Sequence, residues 1–316
     1  MPLRHPVLAP PLAPGAHLTI RLGNAPGVGH AWPVALPVLA GESCEALFPA
    51  ATPAGTAAGF SIFNDGPWLL GFSSRPVGAE LDLATCDMYR DLLTASTGRH
   101  LCRIWNYVPA INATGPQGLE NYRAFSRGRS LAFERALGAG FKRWLPAASA
   151  VGSADDRLTT VFAAHVNPPV HRENPEQIPA YDYPPEHGPR SPSFARATIV
   201  ARADGHQDVF ISGTSAIKGH ATVAPGDTIA QTHCTLENLR TIARACGLGD
   251  QCAAGNARTR HVKVYLRHAS HLVDVERLVQ PAFARPGDDV TYLNADICRA
   301  ALNVEIEVSV FDAARG

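Results

Sequence analysis

The chain has 316 residues, enough to bury about three quarters of its unfolded surface and to favour two domains over one. Lys+Arg and Asp+Glu both number 28, so the electrostatic footprint of a nucleic-acid or anionic-membrane binder is excluded. Composition is that of an ordinary globular protein, 46% hydrophobic and 18% charged, and no apolar run approaches a membrane span. The start, Met1-Pro-Leu-Arg-His, lacks the apolar region of a secretory leader. Seven cysteines are scattered without a CxxC pair, which points to a reduced, cytoplasmic chain rather than a disulfide framework.

Residues 1 to about 58 are rich in Pro, Ala and Gly, with a strand-like run at His17–Leu22 and a turn at Gly23–Gly29. Gly59–Phe63 and Trp68–Phe72 flank Asn64-Asp-Gly-Pro67 and predict a hairpin. Apolar spacing predicts a helix over Asp82–Ala95, with Leu83, Cys86, Tyr89, Leu92 and Leu93 on its inner face. A strand at Leu101–Val108, a helix at about Gly118–Leu137 and strands at about Trp144–Val151 and Leu158–Val166 complete the first half.

Residues 167–193 hold eight of the 26 prolines, a linker or a long loop lying over something. The second half repeats the order: a hairpin (Phe194–Ala203 with Asp208–Gly213), a helix from Asp227 to about Cys246 with Ile229, Leu236 and Leu239 inward, a strand at His261–Arg267, a helix at His271–Phe283, and strands at Val290–Ile297 and Leu302–Phe311. This is an α+β tandem repeat, with an N-terminal unit at 1–166 and a C-terminal unit at 194–316. Its mixed sheets would each carry their own helices on one face.

Along Val304–Val310 the apolar residues Val304, Ile306, Val308 and Val310 share one face, and Glu305, Glu307 and Ser309 share the other. With Cys298 and Arg299 just upstream, the two carboxylates are either a solvated edge or an acid–base centre. Phe210–His220 ends a strand in small residues, so its Gly213, Thr214 and Ser215 could let a ligand approach the backbone; it lacks the spacing of a phosphate loop. Arg267 at a strand end suits a carboxylate clamp or simply solvent. Tyr122–Arg129 gathers three guanidiniums around Gly128, as a solvated face or an anion site. Neither His268/His271 nor His165/His171 has the spacing of a metal motif, no Gly-x-Ser-x-Gly elbow is present, and no metal is expected.

Five ordered motifs resemble the chorismatases, within the Rid/YjgF-like superfamily. They are Arg103-Ile-Trp-Asn-Tyr-Val-Pro-x-Ile-Asn112, Glu120-Asn-Tyr-x-x-Phe-x-x-Gly-Arg129, Ser212-Gly-Thr, Lys263-Val-Tyr-Leu-Arg267 and Asp296-Ile-Cys-Arg, spread over about residues 59–311. The resemblance implies a Rid/YjgF-like fold in both halves and cofactor-free removal of pyruvate from chorismate. It puts Glu305 at the catalytic acid position and Cys298 at the cysteine of the 3-hydroxybenzoate-forming branch; the other branch adds water to give a dihydroxydiene. Chorismate carries two carboxylates, for which Arg129 and Arg267 are the candidate cations, with Tyr122 and Tyr292 as hydrogen-bond partners and Gly213, Thr214 and Ser215 lining the pocket. Ser215-Ala-Ile-Lys218 departs from the family pattern and bears on the product. The competing readings are a Rid-type imine deaminase, expected as a single repeat in a trimer, and a non-catalytic ligand-binding protein. A small-molecule substrate and a monomer or small homo-oligomer are expected.

Overall fold

A computed structural model describes residues 17–22, 30–250, 252 and 258–312; the turn expected at 23–29 lies outside them. Alternating apolar residues, helices whose apolar positions recur every three or four residues, and glycine turns generate two sheets with the same plan. The first contains β4 (Thr52–Ala57), β5 (Phe60–Asp65), β6 (Trp68–Pro76), β7 (His100–Pro109), β8 (Ala147–Ser153) and β9 (Arg157–His165), in the order β4-β5-β6-β9-β7-β8. The second contains β10 (Val170–Arg172), β11 (Ala197–Ala201), β12 (Gln207–Ser215), β15 (Arg258–Leu266), β16 (Asp289–Asn294) and β17 (Val304–Asp312), in the order β10-β11-β12-β17-β15-β16. Strand for strand the two orders coincide, including the parallel pairs β7–β8 and β15–β16. The α+β tandem repeat read from the sequence is therefore present in the topology.

The helices α1 (Leu81–Ala95) and α2 (Asn121–Leu137) cover the outer face of the first sheet, burying Met88, Tyr89, Leu92, Phe125 and Phe133 against Ile104 and Phe162. Their close approach explains Gly128: a Cβ there would stand 2.2 Å from the Asp82 carbonyl oxygen, so this glycine serves helix packing rather than an anion site. The helices α3 (Thr228–Ala245) and α4 (Leu272–Phe283) cover the second sheet over Val262, Val264, Ile306 and Val308. Asp227 caps α3 by accepting the Ala230 amide at 2.9 Å. Two inward assignments fail, because Leu83 and Ile229 are 55% and 42% exposed. Each lies in the first turn of its helix, where little of the sheet is overhead.

The other faces of the two sheets meet in a third apolar layer, with Trp68 and Trp105 against Phe210 at ring distances of 5.7 and 6.2 Å. The result is a helix–sheet–sheet–helix sandwich. The boundary expected at 166 does not divide it cleanly. The early strands β1 (His17–Leu22), β2 (His30–Ala40) and β3 (Cys44–Phe48) extend the second sheet through β2–β16 pairing, giving nine strands. The segment 167–193 is the loop-over-something alternative. It crosses the mouth of a cavity and returns to the second sheet. A short hairpin, β13 (Ile217–Lys218) with β14 (Ala221–Thr222), interrupts the repeat between β12 and α3 and faces this strap.

Candidate active site

Between the sheets, at the end where the strap crosses, lies a cavity of about 260 Å³. β17 reaches it as a central strand, between β12 and β15, so its inner-face carboxylates are buried rather than solvated. Glu305 is 3% and Glu307 2% exposed. Their environments push them apart. Glu307 accepts from Arg103 at 2.7 Å and Trp105 at 3.0 Å, and pairs with Lys263 at 2.8 Å. Burial alone would raise its pKa, but Lys263 and Arg103 outweigh burial and bring it down to about 2. Among the described residues Glu305 has no ion-pair partner of that kind; its Oε2 accepts a 3.3 Å bond from Ser215. Burial, then the Glu307 charge, push it up to about 8. One carboxyl is a fixed anion, and the other is a neutral acid at pH 7.

The sequence makes room for that acid. The β12–β17 register slips between Ile211 and Thr214, a bulge beside the site. At its centre a Cβ on Gly213 would stand 2.0 Å from Glu305 Oε1, so only glycine admits the carboxyl. Ser212 joins the sheets by accepting the Ala148 amide at 2.9 Å.

Arginines line the same cavity. Arg129, 1% exposed on α2, lies over Phe125 and Phe194 at 4.9 and 5.7 Å, and its Nε and Nη2 have no partner among the described residues. Arg196, 6% exposed, donates to the Tyr183 hydroxyl at 2.7 Å, and its Nε too has no partner among the described residues. Arg299 lies over the Tyr183 ring and donates to the His220 carbonyl oxygen at 2.8 Å. Buried guanidinium N–H groups without partners mark a place for an anion. Cys298 lines the same cavity as a neutral thiol, pushed up to about 12 by burial and by Glu305. The Tyr122 hydroxyl is held protonated by burial on the adjoining wall.

Three comparisons bear on this site. The family model "Chorismatase FkbO/Hyg5-like, N-terminal" matches residues 46–164. A chorismatase of Streptomyces rapamycinicus is 36% identical over 249 residues, 76% of this chain and 73% of that protein. The chain belongs to the chorismatase family. A 3-hydroxybenzoate synthase of Streptomyces hygroscopicus is 39% identical over 212 residues, 65% of this chain; the match spans 62% of that relative, less than two thirds of its length. A chorismatase crystal structure superposes with a TM-score of 0.73 at 30% identity, covering 90% of this chain and 81% of the other.

Of the residues singled out in this chorismatase-family sequence, Glu305, Cys298, Arg129, Tyr122, Gly213 and Ser215 meet at the cavity. Three do not. Arg267 is spent on the turn 296–302: it pairs with Asp296, donates to Asn112 at 3.0 Å, and donates to the carbonyl oxygens of Ile297, Arg299 and Leu302. It shapes the turn that presents Cys298 and Arg299 and is not among the residues lining the cavity. Tyr292 lies under α4, where its hydroxyl accepts from Gln280 at 3.4 Å. Thr214 turns its hydroxyl to the Ser212 carbonyl oxygen. The divergent Lys218 points away from the cavity, binding Glu176 and Glu237 and thereby tethering the strap. Arg196 and Tyr183 escaped the sequence reading because they lie in or beside the proline-rich segment; a lone Arg at the start of an apolar strand run was the signal available.

Proposed function

We propose that this protein converts chorismate to 3-hydroxybenzoate and pyruvate. The observation that carries the proposal is Glu305, a buried carboxyl whose pKa burial pushes up to about 8, in a cavity it shares with Arg129, Arg196 and Arg299. Cleaving an enolpyruvyl ether requires a proton on its methylene carbon, and an acid with a pKa near neutrality delivers it. Arg129 and Arg196 receive the two carboxylates, with Arg299 beside them and Tyr122 as a hydrogen-bond donor. Protonation turns the side chain into an oxocarbenium and pyruvate into a leaving group. The neighbouring ring hydroxyl then displaces it, forming a C–O bond as the ether C–O bond breaks, and its proton returns to Glu305. The epoxide-like intermediate opens and loses a ring proton to aromatise, so no water is consumed. The neutral Cys298 thiol fills the space beside the acid where a hydrolytic water would stand. The relative named 3-hydroxybenzoate synthase supports this branch. Seven free thiols fit a reduced cytoplasm.

The test is chromatography of the products together with pyruvate detection, using metal-stripped protein. Equal amounts of 3-hydroxybenzoate and pyruvate are expected. The dihydroxydiene as main product would move the protein to the hydrolytic branch, and absence of pyruvate would end the proposal.

A further inference from the structure

Three donor side chains converge on the rim of the cavity from two segments far apart in sequence. Glu186 and His187 belong to the strap, and His220 belongs to the turn between β13 and β14. His187 Nε2 and His220 Nδ1 are 3.0 Å apart, and Glu186 Oε1 is 3.8 Å from the first and 3.5 Å from the second. A tetrahedral ion with bonds of about 2.0–2.1 Å holds its ligand atoms about 3.3 Å apart, in the middle of that range. The Tyr183 ring packs 5.1 and 6.4 Å from the two imidazoles and limits their rotation. Two imidazoles and a carboxylate form a borderline donor set that suits Zn²⁺ better than Mg²⁺ or Ca²⁺. The charges of Arg299 and Arg123 bear on His187 and oppose a cation, which argues for a reversible site rather than a permanent structural one.

We propose that Glu186, His187 and His220 form a three-ligand site for a zinc-class divalent ion, its fourth position open to water, and that the bound ion staples the strap to the β13–β14 turn and closes the cavity mouth. The ion takes no part in the chemistry; it controls entry and exit. His187 lines the cavity, and the His220 carbonyl oxygen holds Arg299, so the staple joins directly to the anion-binding wall. The binding half of this inference stands apart from the pocket's chemistry, and the effect on turnover rests on the function proposed above.

Calorimetric titration of the metal-stripped full-length protein with Zn²⁺ tests the site. One ion per chain is expected, with affinity weakened by more than about tenfold in His220→Ala and in Glu186→Gln. Glu186 is 65% exposed in its side chain, so its substitution leaves the fold intact and guards against a folding artefact. Equal zinc affinity in wild type and both variants, or no binding, overturns the site. In the pyruvate assay zinc should slow the wild type reversibly on chelation and spare Glu186→Gln. Zinc that binds without slowing turnover overturns the closure. A metal-stripped protein that releases no pyruvate overturns the proposed function instead, and the calorimetry then decides the site alone.

Discussion

The strands β9 and β17 hold the same place in two sheets of the same order, yet their inner faces carry different chemistry. β9 turns Thr159, Val161 and Ala163 toward the sheet–sheet layer, while β17 turns Glu305, Glu307 and Ser309 there. In the first half one buried polar cluster sits on the helix side, where the Tyr89 hydroxyl donates to Asn106 at 2.9 Å and the Thr160 hydroxyl donates to the same oxygen at 3.3 Å. They satisfy one another. In the second half the polar residues face the partner sheet, and Glu307 draws one counter-charge from each sheet, Arg103 on β7 and Lys263 on β15, while Arg129 on α2 lines the cavity. Duplicated architecture fixes where a side chain can stand. Which half becomes reactive depends on whether its polar groups are left with unmet partners.

The comparison breaks if the second-half carboxylates prove interchangeable with ordinary packing. Glu305→Gln keeps the shape and should lower the rate about a hundredfold to ten-thousandfold while leaving substrate binding intact. Steady-state kinetics and a binding titration check this, and retention of more than about a tenth of the rate would move the acid elsewhere. In wild type, activity should fall as pH rises through about 8. Because the folded pKa of Glu305 lies above its ordinary 4.5, stability should fall over the same climb from 4.5 to about 8, and Glu305→Gln should flatten that slope in pH-dependent melts.

Glu307→Gln leaves Arg103 without its carboxylate and Lys263 with Glu45 alone, and denaturant titration should register a loss of about 3–5 kcal/mol. It also removes the negative charge that raises Glu305, so the alkaline limb of the pH–rate profile should move to lower pH. A limb that stays put would sever the two glutamates.

Arg196→Ala and Arg129→Ala should each weaken substrate binding by about 2–5 kcal/mol, with Lys rescuing only in part. Arg267→Ala sharpens the contrast: it should lower thermal stability by loosening the turn 296–302, and an unchanged melting temperature would contradict that. Cys298→Ala should keep pyruvate release, shift product toward the dihydroxydiene, and cost about 1 kcal/mol; an unchanged product ratio on chromatography makes the thiol packing. The smallest effect belongs to the silent half, where Thr160→Val should cost about 1 kcal/mol of stability and leave kcat unchanged.

The repeat was legible because its signals are local. Alternation, helical spacing and turn residues recur in the same order in both halves, and the Glu305/Glu307 alternation named the face. What escaped depends on contacts distant in the chain. The strands β1–β3 read as strand-forming or not, but nothing local says that β2 will add to β16. Arg267 at a strand end looks free until the turn 296–302 folds back on it. The division between an acid and an anion on one strand requires Arg103, 204 residues away from Glu307.

That last separation has a consequence for how the molecule assembles. Lys263 reaches Glu45 across 218 residues within the second sheet, whereas the Arg103–Glu307 pair closes only when the sheets dock. Contacts at such separations form late, because the intervening chain must first be ordered. During synthesis the first sheet carries Arg103 and awaits Glu307, made 204 residues later. Until β17 inserts between β12 and β15, Glu305 has neither its bulge nor its charged neighbour. The environment that sets Glu305 apart from Glu307 is therefore completed in one late event rather than gradually.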